Sequence, residues 1–147
     1  MMADRDVARL ERLLEWRRGE EELARLSEAS ALRAVEAARG RVRLLQEQVR
    51  TCRQCAASDA TDGEVLTNAQ HCAARLNAEA ARQQNELEDA MNALTQAREG
   101  LAEAGRRRLA VERMVATCVL RQRERERAAA QVDIDDGGRL RLMLEGE

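Results

Sequence analysis

Four side chains with metal-binding or redox chemistry lie on either side of one short turn-forming segment. Cys52 and Cys55 form a CxxC pair before this segment, and His71 and Cys72 follow it. Thiolate and imidazole groups in this number form a ligand set that tetrahedral zinc accepts. If the chain folds back near residue 62, Cys52 and Cys72 lie at almost the same height on two neighbouring helices. Two thiols in that position could also form a disulfide or take part in redox chemistry.

The surrounding sequence favours a structural role for these cysteines. Zinc hooks at the apex of long coiled coils use a CxxC pair in a kinked loop, whereas this pair lies several residues before the turn, within a helical pattern. Cys52 and Cys118 also fall in register with the Ala and Val residues of an apolar stripe, where a thiol serves as a small apolar side chain. We therefore predict structural thiols, no metal and no cofactor. A redox pair, or zinc on Cys52, Cys55, His71 and Cys72, is the less favoured alternative.

The remaining composition offers no arrangement for catalysis. The chain has one histidine, no tyrosine and no lysine, since all 25 basic residues are arginine. A nucleophile, an activating base and an orienting group therefore have few candidates, and we predict that the protein is not an enzyme. The formal net charge of −2 and the alternation of Glu with Arg in residues 123–127 argue against a nucleic-acid surface.

An apolar stripe at coiled-coil spacing, here called the seam, runs through most of the chain. Apolar residues at alternating intervals of three and four keep one face of a helix against a partner helix over many turns. Trp16 is the only aromatic residue, so the chain lacks the side chains that fill a globular core. The seam residues are Val7, Leu10, Leu14, Arg17, Glu21, Ala24, Glu28, Ala31, Val35, Ala38, Val42, Leu45, Val49, Cys52 and Ala56, then Leu66, Ala69, Ala73, Leu76, Ala80, Gln83, Leu87, Ala90, Leu94, Ala97, Leu101, Ala104, Arg108, Val111, Val115 and Cys118.

A cluster of turn-forming residues at 58–63 interrupts the seam, and the seam shifts its phase by one residue across the cluster. Thr61 and Glu64 have the spacing of a capping box, which begins a new helix. We predict an all-α fold, a long antiparallel two-helix coiled-coil hairpin in residues 1–136. Its helices are predicted at 4–57 and 64–132, with a turn at 58–63 and a flexible C-terminal tail at 137–147 that begins at paired glycines. One continuous helix in a parallel dimer is less favoured, because it places Asp59 and Gly63 in the seam.

A second, partial apolar stripe flanks the seam on the first helix. A two-stranded coiled coil buries only one narrow stripe, so these residues either pack beside the seam or form a partner-binding surface. That surface would be strongest near the N-terminus, where four apolar residues crowd within 10–16. The flanking residues are Leu13, Trp16, Leu23, Leu26, Leu32 and Leu44.

Targeting signals are absent from the sequence as it stands. The N-terminal residues carry charges throughout and contain no continuous apolar region typical of a secretory signal. No window approaches the roughly 20 apolar residues that a membrane-spanning helix needs. We therefore expect a cytoplasmic protein whose cysteines are mostly reduced.

The chain resembles the FliJ/YscO family of the bacterial type III export apparatus over roughly residues 5–136. Its opening is similar to the family's leucine-rich turn followed by Arg and an acidic pair, and its Arg- and Glu-rich end resembles the family's closing segment. The residues that carry the likeness are Leu10, Leu13, Leu14, Arg17, Glu21 and Glu22 in the opening, and the run through Arg127 with Gln131, Asp135 and Asp136 in the closing segment.

The resemblance implies a non-enzymatic central stalk, peripheral to the inner-membrane export apparatus. Members of the family insert their paired helix ends into the pore of the hexameric export ATPase, promote its assembly and activity, and contact the membrane export gate. They also recycle export chaperones. By motif, the expected partner-binding residues are Leu10, Leu13, Leu14, Arg17 and Arg18 on the first helix, and Arg121, Arg123 and Arg125 on the returning helix. Trp16 joins them as part of the apolar surface near the N-terminus.

Several alternatives stay open from the sequence. A free-standing coiled-coil adaptor or export-chaperone escort is the main alternative function, and a zinc-linked coiled-coil tip is a third. The chain lacks the aromatic residues that commonly mark the family's gate-binding surface at mid-hairpin. That absence and the unusual tail favour a virulence system slightly over a flagellar one.

Overall fold

The computed structural model describes residues 2–58 and 62–146, which form two long helices. Helix α1 spans Met2–Ser58 and helix α2 spans Gly63–Glu145. No strand is present in the residues that the structure describes. The predicted all-α helical hairpin is therefore confirmed.

Local chemistry explains where α2 begins. Asp62 Oδ1 accepts a hydrogen bond from the backbone N–H of Glu64 at 3.1 Å, and the Asp62 carbonyl accepts one from the N–H of Leu66 at 3.1 Å. Asp62 is therefore the N-cap, because its side chain satisfies a backbone donor that the first turn leaves without a partner. The predicted capping residue, Thr61, lies outside the described residues, and α2 begins at Gly63, one residue earlier than predicted.

The predicted end of α2 near Val132 is wrong. The helix continues through Gly137 and Gly138 to Glu145, so the segment that the sequence predicted as a flexible tail is helical over most of its length. Each glycine costs about 1 kcal/mol relative to Ala in a helix. Extending a helix that has already formed needs no new nucleation, however, and neither glycine adopts a positive φ. Paired glycines alone are therefore a weak stop signal.

Contacts between α1 and α2 group into two units, which are described separately. The terminal unit consists of Met1–Glu22 and Glu103–Glu147, and the turn unit consists of Leu23–Ala102. In each unit α1 packs against α2.

The helices are antiparallel in both units, because the residue number on α2 falls as the number on α1 rises. Side-chain contacts between the helices show this order directly. The pairs are Asp4 with Gln122 and Glu21 with Arg108 in the terminal unit, and Glu28 with Arg98, Arg41 with Gln83 and Cys52 with Cys72 in the turn unit.

The seam forms the interface between the helices, as predicted. Every seam residue is buried or half-buried except Leu66, which is 36% exposed. Conversely, all buried residues of the described chain belong to the seam. They are Leu14, Glu21, Val35, Ala38, Val42, Val49, Leu87, Leu94 and Val111.

The core of the turn unit is a short aliphatic cluster. Val35, Ala38 and Val42 of α1 pack with Leu87 and Leu94 of α2, flanked by half-buried alanines on both helices. Fully burying a Val or Leu side chain stabilises a fold by roughly 1.5–3 kcal/mol. The stability of the turn unit is therefore concentrated in this cluster.

The flanking stripe of the turn unit does not pack beside the seam. Leu23, Leu26, Leu32 and Leu44 are all exposed, so that interpretation of these residues is wrong. Leu23 and Leu44 are three heptads apart and lie on the same face of α1. The turn unit thus presents apolar side chains to the solvent.

Truncation of Val35 tests whether the seam carries the stability. Val35 is 1% exposed, so Val35→Ala leaves a cavity and is expected to lower the free energy of unfolding by about 1–3 kcal/mol. Leu44→Ala is the matched control on the same helix, because it removes a larger side chain that is 56% exposed. We expect a change below about 0.5 kcal/mol for the control in denaturant unfolding followed by circular dichroism. Equal losses for the two variants would contradict burial of the seam.

The continuation of α2 is tested at the paired glycines. A Cβ added at Gly137 or Gly138 meets no atom within 4 Å, so alanine fits at both positions. We expect Gly137→Ala and Gly138→Ala each to stabilise the local helix by about 1 kcal/mol, measured as slower amide exchange in residues 133–144. Gly40→Ala is the control, because its Cβ is equally free and the site lies far along the chain. Random-coil Cα chemical shifts beyond residue 133 in the unaltered protein would contradict the extended helix.

Candidate functional site

All nine residues that were predicted to bind a partner lie in the terminal unit. Six are on α1 within residues 10–18, and three are on α2 within residues 121–125. Gln122 Nε2 donates to Asp4 Oδ1, which places the α2 group beside the first turn of α1. The unit therefore collects the predicted residues, although they do not form one continuous patch.

The seam uses most of the N-terminal leucines. Leu14 is buried against α2, and Leu10 and Leu13 are half-buried, because their three- and four-residue spacing points them towards the partner helix. Trp16 lies outside the seam and is 58% exposed. Of the apolar residues in this group, Trp16 thus offers the largest surface to a partner.

Arg17 orients the exposed indole. Its guanidinium carbon lies 4.8 Å from the centroid of the Trp16 ring, within the range of a cation–π contact. Arg17 Nη1 also donates to Glu20 Oε2 at 2.8 Å, while its buried Nε has no hydrogen-bond partner among the described residues. Arg17 is half-buried at a seam position, so its side chain acts on Trp16 and Glu20 within α1.

A polar layer interrupts the apolar seam one turn further along α1. Glu21 is 8% exposed, and its Oε2 accepts a hydrogen bond from Arg108 Nε of α2. Arg108 Nη1 donates to Glu112 Oε1 at 2.8 Å, and Arg18 Nη2 lies 3.7 Å from the same Glu112 oxygen. These hydrogen bonds, to Glu112 first and to Glu21 second, raise the pKa of Arg108. Arg108 therefore stays charged, and it joins the two helices at one height.

Acidic neighbours occupy some of the arginines of α2 and leave others available. Arg106 Nη2 donates a hydrogen bond to Glu103 Oε2 at 2.8 Å, and Arg107 Nε donates one to Glu103 Oε1 at 3.1 Å. The hydrogen bond and charge of Arg106, followed by those of Arg107, lower the pKa of Glu103 and keep it a carboxylate. The three predicted arginines of α2 form no ion pair within the described part of the chain.

Those three arginines divide between two sides of α2. Arg121 and Arg125 are one helical turn apart and share a face, whereas Arg123 is separated from each of them by about 160° around the helix. All three are exposed. A partner that contacts Arg121 and Arg125 together would need to enclose the helix to reach Arg123 as well.

Beyond Gln122, α2 continues as an exposed helix. Every residue from 123 to 146 is exposed, although the helix extends to Glu145. This segment is here called the α2 extension (residues 123–145). Only Arg123 and Arg125 within it were predicted to bind a partner, and residues 137–147 were predicted to form a flexible tail. Large apolar residues in an otherwise polar segment are the sequence feature that points to this surface. They are Val132, Ile134, Leu140, Leu142, Met143 and Leu144.

The thiols of the turn unit form a pair and not a metal cluster. Cys52 Sγ and Cys72 Sγ are 3.7 Å apart, as expected from their predicted matching heights. Cys55 and His71 are exposed, and Cys118 lies in the terminal unit. In residues 2–58 and 62–146, no three His, Cys, Asp or Glu side chains are grouped so that they could hold a metal ion. The zinc alternative therefore has no support in these residues.

The polar layer gives a test of how the helices are held in register. Arg108→Leu removes the guanidinium that Glu21 bonds and leaves a nearly buried carboxylate in an apolar interface, which we expect to lower the melting temperature. Glu21→Leu combined with Arg108→Leu replaces the pair by seam-like residues and should restore stability or raise it above that of the unaltered protein. Arg107→Leu is the control for loss of an adjacent, exposed arginine. A double variant no more stable than Arg108→Leu alone would contradict the pairing.

The family model of the flagellar FliJ protein matches residues 6–144, a span that includes the α2 extension almost to its end. Comparisons with curated proteins and with solved structures gave no match. None of the described helical segments is long and apolar enough to cross a membrane. Because the family model matches nearly the whole chain, this protein belongs to the flagellar FliJ protein family, as its resemblance indicated.

Proposed function

We propose that this protein is the non-enzymatic central stalk of a flagellar type III protein export apparatus. In this role it binds the hexameric export ATPase, promotes its assembly and activity, and couples it to the membrane export gate. Family membership supports an export role, and the flagellar description of the matching family favours a flagellar system over a virulence one. The protein would work in the cytoplasm, next to the inner-membrane export apparatus.

The α2 extension is the observation that carries this proposal. Its large apolar side chains are more than half exposed, and within the described residues the last hydrogen bond between α1 and α2 is the one that Gln122 donates to Asp4. Groups of exposed apolar side chains on a soluble protein commonly mark interaction sites. A single exposed helix is about 10–12 Å wide with its side chains, which suits a narrow opening such as the pore of a protein ring.

The charges and the indole of the terminal unit provide additional contacts. Arg121, Arg123 and Arg125 can pair with acidic groups of a partner without first breaking an ion pair to any residue that the structure describes. Trp16 is the kind of residue that dominates binding energy at interfaces, because a large ring loses water on binding. Arginines on two sides of α2 fit a partner that surrounds the helix.

A stalk can act on an ATPase ring without performing chemistry. One helix cannot present the same side chains to six equivalent subunits, so its contacts differ from subunit to subunit. A contact that favours one subunit conformation shifts the population of that conformation by its differential binding energy. The proposed effect on assembly and hydrolysis follows from this bias.

Binding to the ATPase tests the proposal directly. The purified protein is expected to bind its cognate export ATPase and to increase hexamer formation and ATP hydrolysis. Trp16→Ala, and separately Leu140→Ser with Leu144→Ser, are expected to weaken binding about tenfold or more, the loss typical of an interface anchor. Leu44→Ala is the control, because Leu44 is as exposed as Trp16 but lies in the turn unit. If hexamer formation and ATP hydrolysis do not change although both partners are folded, the proposal is overturned.

The exposed leucines of α1 in the turn unit favour a second candidate, a coiled-coil adaptor that escorts export chaperones. Leu23 and Leu44 share one face of α1 and offer apolar surface away from the seam. This candidate predicts chaperone binding that Leu23→Ser with Leu44→Ser abolishes, without any effect on ATP hydrolysis. The two candidates are therefore separated by measuring chaperone binding and ATPase activity on the same variants.

A further inference from the structure

One pair of nucleophilic groups in the turn unit has no part in the proposed stalk function. Cys52 of α1 and Cys72 of α2 lie on neighbouring helices with their Sγ atoms 3.7 Å apart. They are 20 residues apart in sequence, and Asp62, the N-cap of α2, lies between them. Hydrogen bonding between the thiols shows that their side chains already point towards each other.

The sulfur atoms need little movement to bond. A disulfide has an S–S distance of about 2.05 Å, so the two atoms must approach by about 1.7 Å. Cys72 is exposed and Cys52 is half-buried at a seam position. A small oxidant can therefore reach Cys72 from the solvent, and Cys52 lies next to Cys72.

The other cysteines are placed less well for an interhelix bond. Cys55 is exposed on α1, one turn from Cys52, and no contact joins its sulfur to α2 in the described residues. Cys118 belongs to the terminal unit. Geometry thus selects one pair out of the four thiols.

We infer that Cys52 and Cys72 are an oxidisable thiol pair that forms a reversible disulfide between α1 and α2 when the protein meets a small-molecule disulfide. This modification is independent of the proposed stalk function. Its immediate effect is to fasten the two helices covalently near the turn.

The reaction proceeds by two thiol–disulfide exchanges. The Cys72 thiolate attacks one sulfur of the small disulfide, which breaks the S–S bond, forms a mixed disulfide and releases one small thiolate. The Cys52 thiol then loses its proton to solvent, and its thiolate attacks Cys72 Sγ. The Cys52–Cys72 bond forms as the second small thiolate leaves and takes up a proton. The protein loses two protons and two electrons in all, and the small disulfide takes them up to become two thiols.

The contacts of Cys52 in the reduced protein favour Cys72 as the first nucleophile. The hydrogen bond with Cys72 of α2 raises the pKa of the Cys52 thiol, and burial and the charges of Cys72 and Cys55 add to the effect. A raised pKa means less Cys52 thiolate at neutral pH, so the exposed Cys72 is expected to react first. Ring closure then needs the Cys52 thiolate, and it should accelerate about tenfold per pH unit as long as the pH stays below the pKa of that thiol.

The test treats the reduced full-length protein with oxidised glutathione. We expect the intact mass to fall by two hydrogens and the melting temperature to rise by about 5–10 °C, both reversed by a reductant. Cleavage after arginine and after Glu64 separates the relevant cysteines, because Arg53 lies between Cys52 and Cys55, and Glu64 between Cys55 and Cys72. The linked fragments should be residues 51–53 and 65–75.

Matched serine variants decide between this pair and its alternatives. Cys52→Ser and Cys72→Ser should each abolish the internal bond and leave at most a mixed disulfide, whereas Cys55→Ser and Cys118→Ser should leave bond formation unchanged. In denaturant the preference for the Cys52–Cys72 pairing should disappear. A stable mixed disulfide on the native unaltered protein, an internal Cys52–Cys55 bond, or only intermolecular disulfides would each overturn the inference.

Discussion

Burial of one narrow apolar seam between two antiparallel helices is the interaction on which the rest of the structure depends. The seam residues recur at intervals of three and four, so they face the partner helix along each unit and leave the other faces in water. Small alanines alternate with valine and leucine along it, and Val35 and Ala38 are each only 1% exposed. The stabilising contacts are therefore spread along the seam, because a pair of helices has no wider core.

The polar layer of the terminal unit fixes the register of the two helices, which apolar contacts alone do not do. A repeat made of Ala, Leu and Val would pack nearly as well if one helix slid by a heptad. Glu21 is the only buried charged residue among those described, and it meets Arg108 at a single height. A slip would separate the Glu21 carboxylate from Arg108, and breaking an ion pair at a nearly buried site is destabilising. The layer therefore favours one register at some expense of stability.

The features that the sequence predicted are those set by periodicity. The seam, the antiparallel pairing, and the closeness of Cys52 and Cys72 follow from a repeat of 3.5 residues and the position of one turn. The end of α2 could not be predicted in the same way. Gly137 and Gly138 each cost about 1 kcal/mol in a helix, whereas extending an existing helix is favourable because it needs no new nucleation. Local sequence alone does not decide whether the helix stops or continues there.

Among the candidate site residues, the side of the helix decides which side chains are buried and which are exposed. Leu10 and Leu14 fit the family pattern, but the same spacing directs them into the seam, where they hold α2. Trp16 is displaced by about 100° from the neighbouring seam residue Arg17 and therefore stays exposed. Motif likeness shows which residues belong together, and only the packing shows which of them can meet a partner.

The α2 extension follows from the same constraint. A helix of roughly twenty residues without tertiary packing is marginally stable in water, and this one contains two adjacent glycines. Its order depends on continuity with the part of α2 that packs against α1, so its local stability should be the lowest of the described helices. A partner that covers its apolar side chains would replace the missing seam contacts and stabilise the helix on binding. The segment that gains least from the hairpin is therefore the one with most to gain from a partner.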